Sequence, residues 1–413
     1  MRQPMQTIIQ DPKADAFVQN PYQVYDRLRR SGPIAYWQDL DLRVISSYDG
    51  VTMGLRDHRF GREAPSGFRP VIPDHLQAFY DVDDHSMLEL DGDRHRRLRG
   101  LVLRAFTSRR IKELAPEITQ VCHELIDAFP QPLHTDDHGG LGDRGVDDGF
   151  DLLKAYATPL PIRIISVLLG VPLDMGDQLL AWSNAMVAVY TPLCDHDTQV
   201  RAATAATEFA DFMRSYIDTR RTEPRDDLIS HLIAAEQDGE KLSTDELIAT
   251  CILLLNAGHE ATVHAIGLAV KTLLEHDTPI EMLQDTAIEG TIEELLRYDP
   301  PLHLFQRWAH EDTTFLGQNF KRGDKIGLLL GAANRDDDAW DDPHLFDPTR
   351  KVKQNTAFGG GIHFCVGAPL ARLEMRIALQ VLFARCPNLR LTQPPHFGNT
   401  WHFHGLETLM TRP

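Results

Sequence analysis

Residues 358–367 read Phe-Gly-Gly-Gly-Ile-His-Phe-Cys-Val-Gly, and this stretch determines how the rest of the chain is interpreted. Four glycines surround one cysteine, Cys365, and a run that favours helix follows it over residues 368–379. Because glycine has no Cβ, the backbone of such a loop can approach a large flat ligand closely. Backbone N–H groups and a helix N-terminus beside the sulfur favour the thiolate form of Cys365. The pattern therefore indicates an axial thiolate ligand for haem iron.

The loop fits the pattern F-x-x-G-x-x-x-C-x-G, which is filled by Phe358, Gly361, Cys365 and Gly367. It resembles the haem-binding loop of the cytochrome P450 family, and this resemblance implies that Cys365 ligates the iron of haem b (iron protoporphyrin IX). One alternative is a buried free cysteine beside a glycine-rich turn. A zinc site is a weaker alternative, because the chain has no Cys-x-x-Cys pair and His363 with Cys365 offers no second ligand pair at a usual spacing.

The bulk composition fits one large domain. The chain has 413 residues, of which 42% are hydrophobic and 25% are charged, and this is ample for a large buried core. We find no linker, repeat or low-complexity tract, so we predict a single domain over residues 1–413. The most loop-like segment, 131–149, is rich in Asp, His and Gly, and we interpret it as a surface loop rather than a metal site.

Charge and cysteine usage narrow the class of protein. The formal net charge of −18 argues against general nucleic-acid binding, which needs a basic surface. The five cysteines are scattered and odd in number, which suits a reducing compartment. Residues 1–15 contain no apolar core of a signal peptide, and no window approaches a membrane span. We therefore predict a cytoplasmic protein with no membrane and no nucleic acid as partner.

Hydrophobic periodicity predicts a mainly α protein with a minor β region, as in the cytochrome P450 fold. A helical period is present at 24–30, 91–100, 111–130, 152–169, 179–189, 204–220 and 227–237. Strand-like pieces lie at 34–36, 42–45, 313–316, 325–330 and 389–391.

The longest predicted helix spans residues 243–275. Ser243 and Glu246 have the spacing of a capping box, and roughly thirty residues would span about 45 Å, enough to cross a domain. The centre of the helix is small and polar, and Gly258 there costs about 1 kcal/mol relative to alanine. We expect this weak point to open a groove in the helix, with Glu260 beside it in a position to relay protons. The alternative is a polar patch on a half-exposed helix.

This centre is similar to the oxygen-binding segment of cytochromes P450, [Ala/Gly]-Gly-x-[Asp/Glu]-Thr-[Thr/Ser]. Ala257, Gly258 and Glu260 match, but Ala261 stands where the family has its threonine. Thr262 cannot simply replace that threonine, because adjacent helical residues point about 100° apart. Some family members, macrolide hydroxylases among them, also have alanine here and draw the missing hydroxyl from substrate and ordered water. We therefore hypothesise a substrate with a hydroxyl or other polar group near the oxidised carbon.

His95 and Arg99 lie at i, i+4, a spacing that aims both side chains at one spot. The family pattern H-x-x-x-R matches this pair, and the resemblance adds Arg307 and His363 as further contacts to the two haem propionates. Guanidinium groups suit carboxylates because their donors form a planar fork. The alternative for His95 and Arg99 is an ordinary basic helix face.

The resemblance also assigns a structural ion network and a docking face. Glu294 and Arg297, at i, i+3, would join Arg350 in a buried network behind the haem loop. An arginine-rich stretch over residues 94–110 would lie near the face where an acidic ferredoxin docks, and the alternative is a solvated basic face. Its members are Arg94, Arg96, Arg97, Arg104, Arg109 and Arg110.

Substrate contacts follow from the resemblance and lie in 68–88, 182–190, 256–260, 302–305 and 400–404. These segments mix aromatic and histidine side chains, which favours a medium-sized, partly polar organic substrate. They include Phe79, Trp182, Tyr190, Phe305, Trp401, Phe403, His303, His402 and His404.

Taken together, the resemblance implies a haem-thiolate monooxygenase that inserts one atom of O₂ into a medium-sized organic substrate. Glu260, Ala261 and Thr262 would form the catalytic segment, and electrons would come from a separate ferredoxin and ferredoxin reductase. Two alternatives stay open. The protein could use peroxide or catalyse an oxygen-independent rearrangement, against which Glu260 argues, or it could be a non-catalytic haem-binding sensor or carrier.

Overall fold

A computed structural model describes residues 5–130, 149–191, 194–235 and 239–413. The helices in these ranges are α1 (Asp15–Gln19), α2 (Tyr22–Arg30), α3 (Tyr48–Arg56), α4 (Gln77–Asp83), α5 (Gly92–Ala105), α6 (Ser108–Glu113), α7 (Ala115–Asp127), α8 (Pro159–Leu169), α9 (Gly176–Val187), α10 (His196–Thr222), α11 (Leu228–Ala234), α12 (Thr244–Glu275), α13 (Ala287–Tyr298), α14 (Leu330–Ala333) and α15 (Ala368–Arg385). Helices thus dominate the fold, as predicted.

The β region is small and consists of short strands. The strands are β1 (Thr7–Ile8), β2 (Ala35–Trp37), β3 (Leu42–Ile45), β4 (Phe60–Gly61), β5 (Phe150–Asp151), β6 (Leu304–Ala309), β7 (Thr313–Phe315), β8 (Gln318–Phe320), β9 (Lys325–Leu329), β10 (Arg390–Leu391), β11 (His396–Phe397), β12 (Leu406–Thr408) and β13 (Met410–Arg412). The largest sheet has the order β1-β2-β3-β9-β6-β4. Its β3–β9 pair is parallel, and its β9–β6 pair is antiparallel with Arg307 opposite Ile326.

Helix α12 passes through the helical part of the molecule. The predicted capping box is confirmed, since the Ser243 side chain accepts from the Glu246 N–H and the Glu246 carboxylate accepts from the Ser243 N–H. The helix packs against α8, α9, α10 and α15. The predicted groove is wrong, because the helix continues without a break through residues 256–262. Gly258 instead permits close packing against α8, where an added Cβ would lie 3.3 Å from Ile165 Cδ1.

The predicted ion network behind the glycine-rich loop is present. Arg297 Nε lies 2.7 Å from Glu294 Oε2, and Arg350 Nε lies 3.1 Å from Glu294 Oε1. Arg297 also donates to the carbonyl oxygens of Asn334 and Pro343. The network therefore ties α13 to the segment that leads into the loop.

Helix boundaries differ from the predictions where the local sequence breaks the helical period. The predicted helix 111–130 is divided between α6 and α7 at Leu114, and the predicted helix 152–169 begins with a π-helical turn before α8 starts at Pro159. Helix α10 begins earlier than predicted, because the Asp195 side chain accepts from the Thr198 N–H and caps it. Residues 131–148 of the predicted surface loop and residues 236–237 of the predicted helix 227–237 lie outside the described residues.

Candidate active site

The glycine-rich loop folds as a tight turn between Phe358 and the start of α15. The Cys365 N–H donates to the Phe358 carbonyl oxygen at 3.1 Å, and residues 361–363 form one 3₁₀ turn. Gly361 has a φ of +67°, which favours glycine, and a Cβ there would overlap the Leu55 carbonyl oxygen. The loop therefore holds Cys365 at a fixed place directly before a helix N-terminus.

Cys365 is accessible in the structure, yet its surroundings disfavour a free thiolate. Burial is the largest influence and raises the pKa of the thiol, while the backbone N–H groups of Gly367 and Ala368 and the charge of Arg99 lower it. The predicted contribution of the N–H groups is therefore present, but burial outweighs it and the net direction is upward. Binding to a metal ion overcomes this, because a coordinating thiol is deprotonated outright.

The four predicted propionate contacts converge on one side of the loop. The His95 ring, from α5, lies 4.3 Å from the His363 ring between centroids. Arg99 donates to the Phe364 carbonyl oxygen at 2.6 Å, and Arg307 comes from β6 with only 3% of its surface exposed. The fold thus brings together residues that are more than 260 positions apart in the chain, as the pair Arg99 and Phe364 illustrates.

These side chains form a cationic pocket that fits two carboxylates. Burial, and then repulsion from Arg62, lowers the pKa of Arg307 to about 9, and burial also lowers the pKa of Arg99. Burial lowers the pKa of His95 to about 4. Across the described ranges, neither Arg99 nor Arg307 forms an ion pair with a carboxylate of the chain. Buried guanidinium groups without an anion are costly, so the pocket has the chemistry that the propionates of haem b would complete.

Two further residues belong to this region, although the sequence analysis did not identify them. Asp91 precedes α5, and its Oδ1 lies 2.9 Å from His363 Nε2 and orients that ring. Arg372, on α15, lies over the Phe358 ring at 4.4 Å, and its charge lowers the pKa of Cys365. Each of the two residues lies within a few positions of a motif that the sequence analysis identified, and this proximity was the indication in the sequence that could have found them.

The central turns of α12 present one accessible face. Ala257 is exposed and Ala261 is half-buried, and these residues are one helical turn apart. Thr262 is only 5% exposed and therefore lies on the buried side of the helix. The structure agrees with the argument that Thr262 does not replace the hydroxyl missing at Ala261.

Glu260 lies at the edge of this accessible face and is surrounded by histidines. Its Oε1 is 3.1 Å from His264 Nε2, and its Oε2 is 3.9 Å from His259 Nδ1. Burial raises the pKa of Glu260, but the hydrogen bond from His264 and the charges of His264, His259 and His402 outweigh burial and lower it. The side chain is therefore a carboxylate at neutral pH. The sequence analysis missed His264, although its i, i+4 spacing from Glu260 was a visible signal.

The predicted substrate contacts divide into two groups. Leu302 and Phe403 are paired by an isolated β-bridge, and Phe305 and Phe403 are half-buried. Several other predicted contacts are buried, and for these residues the substrate-facing role stays a prediction. These buried residues are Phe79, Trp182, Trp401, His303, His402 and His404. His303 is bonded to Tyr25, and His404 to Asp299, in the interior of the protein.

The arginine-rich stretch is largely paired with acidic neighbours. Arg96 pairs with Asp93 and Arg109 with Glu113, both at 2.8 Å. Two further pairs, Arg97 with Glu246 and Arg110 with Asp226, connect this stretch to α12 and to the turn before α11. Local acidic groups therefore reduce the positive charge that the sequence alone suggested.

Comparison with known proteins identifies the family. The family model described as Cytochrome P450 matches residues 19–287 and 286–403. The chain is 36% identical to the polyketide biosynthesis cytochrome P450 PksS of Bacillus subtilis (strain 168), over 98% of each chain. It is 34% identical to 6-deoxyerythronolide B hydroxylase of Saccharopolyspora erythraea, over 93% of each.

A solved structure shows the same fold. P450BioI, in complex with an acyl carrier protein ligated to hexadec-9Z-enoic acid, superposes with a TM-score of 0.86 at 31% identity, covering 97% of this chain and all of that one. Within the described ranges, no helix is long and apolar enough to cross a membrane. The loop at Cys365, the cationic pocket and these similarities lead to one conclusion: the chain belongs to the cytochrome P450 family and is a haem-thiolate monooxygenase that binds haem b.

Proposed function

We propose that this monooxygenase oxidises a largely apolar molecule of the polyketide class that carries a hydroxyl group near the oxidised carbon. The accessible face of α12 carries this proposal, because it presents Ala257 and Ala261 and no hydroxyl group. Phe305 and Phe403 add apolar surface from two other segments. The substrate class is supported by the relative whose name places it in polyketide biosynthesis.

The residues that would hold the haem are those of the loop and the cationic pocket. Cys365 would ligate the iron, Phe358, Gly361 and Gly367 would shape the loop, and the propionates would be bound by His95, Arg99, Arg307 and His363. Bound haem supplies the iron that activates O₂ and transfers one oxygen atom. The protein's own part is to place a desolvated thiol, two guanidinium groups and an apolar helix face around it.

Proton supply falls to Glu260 in this proposal. The carboxylate lies at the edge of the accessible face, and the histidines around it lower its pKa. Because Ala261 has no hydroxyl, the last hydrogen-bond donor would come from the substrate or from water that the substrate orders. A substrate without that hydroxyl would leave the transfer incomplete.

We further infer that a ferredoxin and its reductase deliver the electrons and that the ferredoxin binds near residues 94–110. The support is the concentration of arginines there on an otherwise acidic chain. Because exposed charges are screened within about 8 Å at physiological ionic strength, reduction by such a partner should slow as salt is added. Reduction that is insensitive to salt would contradict this docking face.

We also infer one domain over residues 1–413 and a cytoplasmic location. One hydrophobic core joins residues from Phe17 to Leu409, which supports a single folding unit. All five cysteines are free, as suits a reducing compartment. A single unfolding transition and recovery in the cytosolic fraction are the expected results, and two transitions or secretion would contradict them.

The test of the substrate proposal is a binding titration followed by the absorption of the ferric haem. Macrolactones that carry a hydroxyl group are compared with their deoxy analogues. We expect a low- to high-spin shift at lower concentration for the hydroxylated member of each pair. Equal shifts would refute the hydroxyl requirement, and no shift with any compound would favour a sensor or carrier.

A further inference from the structure

The polar side chains in the middle of α12 lie in one stripe. Asn256, Glu260 and His264 follow each other at i, i+4 and i+8, and residues with this spacing share a helix side. Glu260 and His264 border the accessible face formed by Ala257 and Ala261. Most of the remaining helix is buried and apolar, so the stripe stands out as polar groups at the position where the reaction takes place.

His264 is the only described side chain that hydrogen-bonds the Glu260 carboxylate. The side chains of Glu260 and His264 are 23% and 15% exposed, and Nε2 lies 3.1 Å from Oε1. A mostly buried ionisable pair is weak as a source of stability, because desolvation offsets the attraction between the two groups. The contact is therefore better explained by function than by folding.

The second ring nitrogen of His264, Nδ1, faces away from Glu260 and is free to accept a proton. Nδ1 is buried and has no protein partner in the described part of the chain. It lies against Gly405, where a Cβ would overlap the ring. Buried polar atoms without partners usually bind water, so Nδ1 is the atom of His264 at which we infer a water molecule.

His402 extends this arrangement from the C-terminal segment. Its ring is buried, with both nitrogens unpartnered among the described residues. Gly405, three residues further along the chain, lies against the His264 ring, so the segment that carries His402 runs beside the Glu260–His264 pair. A water molecule between these rings would have the two to four polar partners that a buried water needs.

We propose that His264 is a positioning residue that holds Glu260 and returns protons to it, and so compensates in part for the hydroxyl missing at Ala261. The proton on His264 Nε2 passes to Glu260 Oε1 while Nδ1 takes an excess proton that water molecules deliver from bulk solvent, which leaves a neutral ring, a carboxylic acid and neutral water. Glu260 then releases its proton toward the face that carries Ala257 and Ala261. The ring returns to its first tautomer by exchange with water. This inference rests on the proposed role of Glu260.

Two substitutions separate holding from proton transfer. Glutamine can donate a hydrogen bond to Glu260 but cannot relay a proton, and leucine can do neither. We therefore compare H264Q and H264L with the wild-type protein, and use H276Q, at the end of the same helix, as the control. Within the described part of the chain, the side chain of His276 hydrogen-bonds the Thr272 carbonyl oxygen of its own helix.

The first readout does not depend on turnover. The carboxyl signal of Glu260 is followed by ¹³C NMR against pH in the reduced, carbon-monoxide-bound protein, which is diamagnetic, and E260Q identifies the signal. We expect H264L to raise the pKa of Glu260, H264Q to raise it less because glutamine keeps the hydrogen bond but not the charge, and H276Q to leave it close to the wild-type value. An unchanged pKa in H264L would overturn the proposal, because the hydrogen bond would then be absent.

The second readout is NADH oxidation through a surrogate ferredoxin and reductase, with no substrate present, in H₂O and in D₂O. We expect H264Q and H264L to slow it about tenfold or more, within the ~10²-fold that a positioned acid contributes, and to change the solvent isotope effect. If H264Q oxidised NADH at the wild-type rate, the proton relay would be overturned and His264 would act only as a hydrogen-bond donor. Because no substrate is used, this outcome is independent of whether the substrate proposal holds.

Discussion

Replacing Arg307 by methionine should have opposite effects on the haem-free and haem-bound protein. In the haem-free chain this guanidinium is buried, and burial and the charge of Arg62 lower its pKa to about 9. At about 1.36 kcal/mol per unit of pKa, this lowering corresponds to roughly 5 kcal/mol. Methionine fills similar space without a charge, so R307M should stabilise the haem-free protein.

The expected gain is smaller than this upper value. Arg307 donates to the Gln306 carbonyl oxygen at 2.9 Å and lies 5.5 Å from the Phe305 ring, and both contacts are lost in R307M. We expect about 2–4 kcal/mol in the free energy of unfolding at pH 7, once roughly 1 kcal/mol is deducted for the hydrogen bond. Because the folded-state pKa lies below the unfolded-state value, the destabilisation by Arg307 is complete below pH 9. It fades as the pH rises above 9, and the advantage of R307M fades with it.

The haem-bound protein should respond in the opposite way, because the guanidinium is then expected to pair with a propionate. Haem transfer from R307M to an excess of an apo-globin should be faster than from the wild type. Urea unfolding of both haem-free proteins gives the stability difference. R322M, which removes an exposed arginine, is the control and should change neither quantity. A haem-free R307M that is less stable than the wild type would refute the reasoning.

Three further predictions concern the loop, the ion network and Asp83 at the end of α4. Gly361→Ala should abolish haem incorporation, because alanine is strained at the positive φ of this position. Gly367→Ala should retain haem, because residue 367 has a helical conformation and its Cβ would lie 3.7 Å from the cysteine sulfur. Haem absorbance of the two purified variants tests this, and equal haem content would contradict the argument. Glu294→Ala should lower the free energy of unfolding by about 3–5 kcal/mol, because it leaves Arg297 buried and unpaired; a loss under about 1 kcal/mol in urea titrations would contradict this. Burial, and then Glu89, raises the pKa of Asp83 to about 7, so Asp83 destabilises the folded protein increasingly as the pH rises from about 4 to 7. D83N should therefore raise the melting temperature at pH 8 and leave it unchanged at pH 4, and the reverse order would show that Asp83 is stabilised as a carboxylate.

Strong local signals allowed much of the fold to be predicted from the sequence. The capping box at Ser243 and the long apolar run specified α12, and the fixed positions around Cys365 specified the loop. The i, i+4 pair His95 and Arg99 lies on one helix, so its convergence followed from helix geometry. Each of these features is encoded within a short stretch of chain.

Features that depend on contacts between distant segments could not be predicted in this way. The resemblance placed His303, His402 and His404 among the substrate contacts, but their rings are buried on either side of the bridge between Leu302 and Phe403. Register along an extended segment decides which face a side chain takes, and the sequence alone does not give it.

Tertiary packing explains why the local arguments for Cys365 and Gly258 did not give the observed outcome. Burial raises the pKa of Cys365 and outweighs the effect of the local N–H groups. Gly258 looked like a weak point on propensity, yet it is the place where α8 packs closely on α12 through Ile165. In both cases tertiary packing overrode a correct local argument.

The most direct test of the central claim measures the product formed per NADH consumed for a hydroxylated substrate and its deoxy analogue, in the wild type and in Ala261→Thr. The claim is that the substrate supplies the hydroxyl missing from the accessible face of α12. It predicts that the wild type couples NADH oxidation to product only with the hydroxylated compound, and that Ala261→Thr couples it with both. Equal coupling of both compounds by the wild type, with no change in Ala261→Thr, would contradict it.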